Sequence, residues 1–149
     1  MELIPFSEEL KHIKAYTDIE KERFRDRLRV VFDEKDSSFA VPPLTIQPFV
    51  ENAVKHGVCK KAKGGTVTVR TYAAEGGHVV EIIDDGAGFD TAILEEGSKK
   101  GIGIKKTIYR LKALADAEVM IRSKIGKGTQ VRIFFPKSRR SMGDENDIG

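Results

Sequence analysis

Three glycine clusters, and the order in which they interrupt periodic segments, constrain this chain more than any other feature. They are "DDGAGF" (84–89), "GIGI" (101–104) and "GKGT" (126–129). Any one alone is consistent with a tight bend, because glycine relieves the backbone where a chain must turn sharply. None fits the Walker pattern or the dinucleotide fingerprint, which also needs a parallel βαβ unit. The order carries more weight. A helix with a polar stripe comes first, then a strand ending in Asp-x-Gly-x-Gly, a loop, a Gly-x-Gly opening a helix, and a Gly-x-Gly-Thr hairpin.

The segments between the glycines supply the elements. Ser7 is placed to cap a helix whose first turn carries Glu8 and Glu9, as the helix dipole favours. Leu10, Ile13, Tyr16 or Thr17, Phe24 and Leu28 continue near helical spacing. The intervening "TDIEKERFRDR" is so charged that this helix leans on a thin seam, either on its own domain or on another chain. From Arg27 the period becomes two, which predicts a strand through Leu28, Val30 and Phe32. "DEKDSS" is a turn and "CKKAKGG" a loop. "TVTVRTY" and "HVVEIID" are strands joined by the hairpin signal "EGG". Helical spacing returns at 103–115, and "EVMIRS" and "TQVRIFF" are two further strands. The fold class expected is an α/β two-layer sandwich, with a mixed, mostly antiparallel sheet and three helices on one face. The other face would then carry alternating polar residues, as "TVTVRT" does.

The stretch "PPLTIQPFVENAVKHG" (42–57) reads as the polar-striped helix, with Pro48 near its start and Gly57 as its C-cap. At about 100° per residue, Phe49, Val50, Ala53 and Val54 share one arc and Glu51, Asn52, Lys55 and His56 the opposite one. Such a stripe either faces water or lines a site that could hold a metal and phosphates together. The net charge of +3 does not argue for nucleic acid or a membrane surface. The one cysteine, Cys59, excludes an intramolecular disulfide and suits a reducing compartment. No apolar run approaches the roughly 20 residues that span a bilayer, and no signal peptide is visible. The expected setting is cytoplasmic.

Taken together, the motifs resemble the ATP-binding domain of sensor histidine kinases, the Bergerat-type fold shared with gyrase, Hsp90 and MutL proteins. "QPFVENAVKHG" is similar to the N box, "DDGAGF" to the G1 box, "GIGI" to the G2 box and "GKGT" to the last glycine motif. The wording "PPLTIQPFVENAVKHG" followed by "GIGIKKTIYRL" is similar to the LytS/YesM branch, and the match covers about residues 8–136. The resemblance implies residues 1–26 as a helix linking from a dimerisation domain and 27–136 as the ATP-binding domain, while 137–149, with almost no apolar content, is expected to be a mobile tail. The resemblance also implies a flexible lid at 89–100.

The resemblance carries a set of site residues, and their chemistry is compatible with it. Asp84 would accept from the exocyclic amino group of adenine and repel the oxygen that guanine presents there. Gly86 and Gly88 would let a flat base lie against the backbone, and Thr129 would sit near it. Asn52 would offer a neutral oxygen to Mg²⁺, which takes its other ligands from phosphates and water. Lys55 would meet the triphosphate charge, and His56 a phosphate or the ribose. Gly101, Gly103 and Ile104 would present a helix start to the phosphates, with Lys105 and Lys106 adding charge or simply facing solvent. Glu51 would orient or deprotonate the acceptor. Pro48 stands where many relatives have Asn or Glu, and Lys106 where the branch commonly has Asn. None of His12, His56 and His78 has the context of a phosphoacceptor.

The chain therefore looks like the catalytic half of a sensor kinase cut from a longer, membrane-anchored parent. Mg·ATP is the expected substrate, and the acceptor is a histidine on the parent's own homodimerisation helix. A response regulator of LytR or AraC type is expected downstream, and nucleic acid is not expected as a partner. Two alternatives share the fold: a serine kinase of the anti-sigma type, and a module that binds ATP without chemistry.

Overall fold

In a computed structural model the chain is described over residues 3–94 and 99–137. The elements are β1 (Ile4–Pro5), α1 (Phe6–Phe24), β2 (Leu28–Glu34), β3 (Ala40–Val41), α2 (Gln47–Asn52), β4 (Gly65–Ala74), β5 (Gly77–Asp84), α3 (Lys99–Ala115), β6 (Glu118–Lys124) and β7 (Gly128–Pro136). Five strands form one sheet in the order β2-β4-β5-β7-β6. Only β2 and β4 run parallel, and the other neighbours are antiparallel. This is the two-layer architecture expected from the sequence. The long connection holding α2 joins the parallel pair, as parallel neighbours require.

Strand alternation decides which face is covered. Leu28, Val67, Val69, Val80, Ile82, Val131, Ile133 and Phe135 turn toward the helices and are buried with Phe6, Leu10 and Ile13 of α1. Phe49, Val50, Ala53 and Val54 complete that core with Ile104 and Leu111 of α3. The whole apolar arc of the 42–57 segment is thus buried, and α1 packs on its own domain. On the opposite face Arg70 bridges Asp33 at 3.4 Å and the buried Glu81 at 3.5 Å. Gln130 adds a hydrogen bond to Glu81 at 3.3 Å. This is the polar face anticipated from "TVTVRT".

Three local readings need correction. α1 starts at Phe6, one residue before the expected cap Ser7, and has no side-chain cap. Its first amide instead donates to the carbonyl of Phe39 at 2.9 Å, next to the short β1–β3 pair. That pair has two residues per strand, too few to show a period. The helix of 42–57 does not end at Gly57: after Asn52 it widens into a π-turn over Ala53–Gly57 and tightens into a 3₁₀ turn over Val58–Lys60. α3 begins at Lys99, so Gly101 and Gly103 lie inside its first turns and do not precede it. Of the expected lid, residues 91–94 form a 3₁₀ turn and 95–98 lie outside the described residues, as does the tail from 138 onward.

His78, read from the sequence as structural, closes the far end of the core. It stacks on Phe39 with centroids 4.8 Å apart, and Phe39 stacks on Phe6 at the same separation. Its Nδ1 meets Oδ2 of Asp36 in a close hydrogen bond. Burial raises the Asp36 carboxyl, but the hydrogen bonds from His78 and Ser38 outweigh it and leave the group below its usual range. A lowered carboxyl stabilises the fold above its unfolded value and loses that contribution as pH falls. Asp36→Asn is therefore expected to cost about 1–3 kcal/mol in urea denaturation at pH 7, and clearly less at pH 3. An equal loss at both pH values would contradict this reading.

Candidate active site

Asp84 is the last residue of the central strand β5, paired with Val67 on one side and Thr129 on the other. Its side chain turns to the helix side and is 6% exposed. It closes one end of a narrow cavity whose walls are mostly apolar: Phe49, Ala53, Ile82, Phe89, Ile104 and Val131. Oδ1 accepts from the Gly86 amide at 2.8 Å. Desolvation is the largest influence on this carboxyl and the charge of Asp85 adds to it, against the hydrogen bonds from the Gly86 and Thr129 amides. The result is a carboxyl pushed up to about 6.

The backbone around Asp84 approaches too closely for side chains. A Cβ on Gly57 would lie 2.7 Å from Oδ1 of Asp84, and one on Gly128 would lie 2.1 Å from its carbonyl oxygen. A Cβ on Gly86 would lie 2.2 Å from the carbonyl carbon of Gly57. These glycines let three segments converge on one carboxylate. The space beside Gly86 is thus filled by the end of the π-turn, not by room for a flat base. Gly88 does line the cavity, with φ at +67°, and its own Cβ direction points into the carbonyl of Lys124. The π-turn has a local cause here, since the wider turn presses Gly57 onto Asp84, and such turns recur at functional sites. The 84–90 loop is tied on both sides: Ala87 donates to Gly57 at 3.1 Å, Gly126 donates to Ala87 at 2.7 Å, and Phe89 donates to Oγ of Ser123 at 2.8 Å.

Asn52 and His56 line this cavity and also an open groove beside it. Glu51, Lys55, Lys60, Gly103 and Thr107 line the groove only. Glu51 is half-buried, accepts from Nε2 of Gln47 at 3.0 Å and faces the Lys55 ammonium at 4.0 Å. Of the residues expected from the sequence, Asp84, Gly88, Ile104, Thr129, Asn52 and His56 meet in the cavity, and Glu51, Lys55 and Gly103 meet in the groove. Gly86 lies beneath the cavity as a packing contact, and Gly101 is buried in α3 without lining either space. Lys105 and Lys106 are exposed and line neither. Lys60, Thr107 and Gln47 were missed. Gln47 had a signal, since it stands four residues before Glu51 on one helix face. Lys60 had none, because it comes from a stretch read as loop.

The chain resembles proteins already described. Residues 44–139 match the family described as histidine kinase-, DNA gyrase B-, and HSP90-like ATPase. The uncharacterised protein YwpD of Bacillus subtilis is 40% identical over 137 residues, 87% of this chain and 49% of YwpD. The sensor protein LytS of Bacillus anthracis is 32% identical over 98% of this chain, and the sensor histidine kinase YpdA of Escherichia coli 34% over 97%; each match spans 26% of the relative. The chain therefore spans between a quarter and a half of these relatives. The histidine kinase domain of the Erythrobacter litoralis EL346 blue-light activated kinase superposes with a TM-score of 0.71 at 23% identity, covering 93% of this chain and 64% of that one. The nucleotide-free catalytic domain of histidine kinase ThkA gives 0.70 at 12%, covering 92% and 98%. At those identities the two superpositions show a shared fold.

Burial of Asp84 has a cost that can be measured. Its raised carboxyl means that the folded state binds the proton more tightly than the unfolded chain. Stability is therefore lost as pH rises from about 4 to about 6, and the full penalty stands above that. A shift of this size corresponds to up to about 3 kcal/mol. Asp84→Asn keeps an oxygen for the Gly86 amide and removes the charge. It is expected to raise the thermal stability of the ligand-free domain at pH 7.5 and to lose that advantage below pH 4. A variant less stable than the parent at pH 7.5 would show that the carboxylate is better solvated than this geometry allows.

Proposed function

The chain belongs to the histidine kinase-, DNA gyrase B-, and HSP90-like ATPase family, and from that premise we propose that it is the catalytic ATP-binding domain of a two-component sensor histidine kinase. One observation carries this reading. A desolvated carboxylate ends an apolar cavity, and that cavity opens at Asn52 and His56 onto a groove bearing Lys55 and Lys60. A base, a sugar and a chain of phosphates have this same succession of properties. Relatives named as sensor proteins and sensor histidine kinases support the kinase assignment.

In this proposal Asp84 accepts from the adenine amino group, and Thr129 and Gly88 flank the base with Ile104 closing over it. Gly86 serves by holding Asp84 in place. Asn52 is the Mg²⁺ ligand. Its amide is half-exposed at the junction of cavity and groove, and among the described residues no cluster of His, Cys, Asp or Glu could hold a metal alone. An ion there takes its remaining ligands from phosphates and water, as Mg²⁺ does with nucleotides. Lys55 and Lys60 neutralise phosphate charge, and the first turns of α3 around Gly101 and Gly103 add favourable dipoles. His56 contacts the nucleotide's flank.

The reaction is phosphoryl transfer to a histidine of the parent's dimerisation helix. A nitrogen of that imidazole bonds to the γ-phosphorus as the bond to ADP breaks. Glu51, held by Gln47, takes the proton that the imidazole gives up. Most of the rate comes from positioning and charge neutralisation. α1 then continues from the dimerisation helix of a homodimeric, membrane-anchored parent, residues 27–136 form the catalytic domain on its cytoplasmic side, and the phosphate passes to a response regulator of LytR or AraC type. No nucleic acid takes part.

Incubated alone with γ-labelled ATP, the chain is expected to acquire no acid-labile phosphate. When a dimerisation fragment carrying its histidine is added, label should appear on that fragment, and unlabelled GTP should not compete. Glu51→Gln should slow the transfer by tenfold or more while changing ATP affinity by less, the pattern for a group acting in the transition state alone, at about 1.4 kcal/mol per decade. Label on a serine of an added partner would favour an anti-sigma kinase. ATP bound with no transfer to any acceptor would favour a binding module.

A further inference from the structure

Glu9 lines neither the cavity nor the groove, yet its side chain is fully buried. Both of its oxygens are spent on one segment. Oε1 accepts from the Leu44 amide at 3.0 Å, and Oε2 accepts from the amides of Ile46 at 3.1 Å and Gln47 at 3.2 Å. These amides stand at and just before the start of α2, where a helix has no internal acceptors to offer, and the segment's own side chains supply no cap. Leu44 is held with φ at +58°, a left-handed conformation that leucine rarely adopts. Arg110 of α3 secures the same segment from another side, donating to the carbonyl of Pro43 at 3.1 Å. Glu9 itself is fixed, because Phe6, Leu10 and Ile13 of α1 are buried in the core around it.

We propose that Glu9 is a positioning residue for the phosphate side of the nucleotide site. It locks the start of α2 to α1, so that affinity for the nucleotide's phosphates depends on how α1 is seated. This rests on the nucleotide-binding reading given above. α2 has six residues and then loosens into a π-turn, so it is too short to hold its own position. A buried carboxylate accepting three amides is a strong, directional tie, and its charge suits the start of a helix. Glu51, Asn52 and Lys55 follow within three turns of that tie. The base side shares the walls Phe49 and Ala53 with this segment, but it also has anchors on the sheet, Asp84 on β5 and Thr129 on β7. A displacement of α1 therefore reaches the phosphates before it reaches the base. The linkage is reciprocal, so that phosphates bound in the groove hold α1 down.

The test uses the whole chain and three ligands: ATP with Mg²⁺, ADP with Mg²⁺, and adenosine. Glu9→Gln keeps the size of the side chain but turns an amide donor toward the amides of Ile46 and Gln47. In a folded variant, ATP affinity should fall by roughly tenfold or more, the scale of losing a charge-assisted hydrogen bond, while adenosine affinity changes little. In the unaltered chain, ATP should slow hydrogen exchange at the amides of Leu44, Ile46 and Gln47, and adenosine should not. That measurement decides the matter even if Glu9→Gln does not fold. Equal losses for ATP and adenosine, no loss for either, or exchange that slows equally with both ligands would overturn the proposal. An unaltered chain that binds none of the three ligands would overturn the nucleotide reading itself, and this inference with it.

Discussion

A carboxylate buried at the end of the central strand is the constraint around which the rest of this structure is arranged. Burying a charge is unfavourable unless the surroundings compensate, and the compensation around Asp84 is incomplete. Backbone amides donate to it, but the carboxyl still sits near 6. To bring those amides close, three stretches of chain converge where side chains would collide, which is why Gly57, Gly86 and Gly128 carry none. The π-turn after Asn52, the 84–90 loop and the β6–β7 hairpin follow from this packing. A site that holds a partly unsatisfied acceptor in an apolar cavity is prepared for a ligand with a donor to offer, and it discriminates against one that presents an acceptor.

The architecture divides the work between its layers. In the proposed reading the sheet supplies the polar contacts to the base, because β5 and β7 place Asp84 and Thr129 opposite each other in fixed register. In the same reading the helical layer supplies the phosphate side, and its short helix α2 is held from outside by Glu9 of α1. The groove can respond to the element that precedes it in the chain. On the opposite face of the sheet Glu81 is paired with Arg70, Arg132 and Gln130, so that face is polar.

Much of this was legible in the sequence, for identifiable reasons. Period two marked the strand through Leu28, Val30 and Phe32 and the run "TVTVRT", and the arc of Phe49, Val50, Ala53 and Val54 marked a buried helix face, because burial imposes those periods directly; the strand "HVVEIID", buried along most of its length, was marked by its hairpin signal instead. The family was legible because four motifs occur in a fixed order. What was not legible depends on contacts between distant segments. Glu9 looked like a first-turn acid favoured by the helix dipole, and its three bonds lie 35 to 38 residues away. Ser7 looked like a cap, but the backbone of Phe39 had already satisfied the first amide of α1. Gly86 suggested room for a base, whereas its neighbour is the backbone of Gly57. The start of α3 was placed too late, since "GSKKGIG" carries no apolar period to announce a helix.

The direct test of the account is the titration of the Asp84 carboxyl, followed by carbon NMR in the free chain and with adenine or guanine nucleotides. The free carboxyl should titrate near 6. ADP should move it down, because a donor from the base stabilises the charged form, and GDP should leave it where it was. An Asp84 that titrates near the ordinary value of about 4 in the free chain, or that does not respond to ADP, would contradict the claim that this buried carboxylate reads the base.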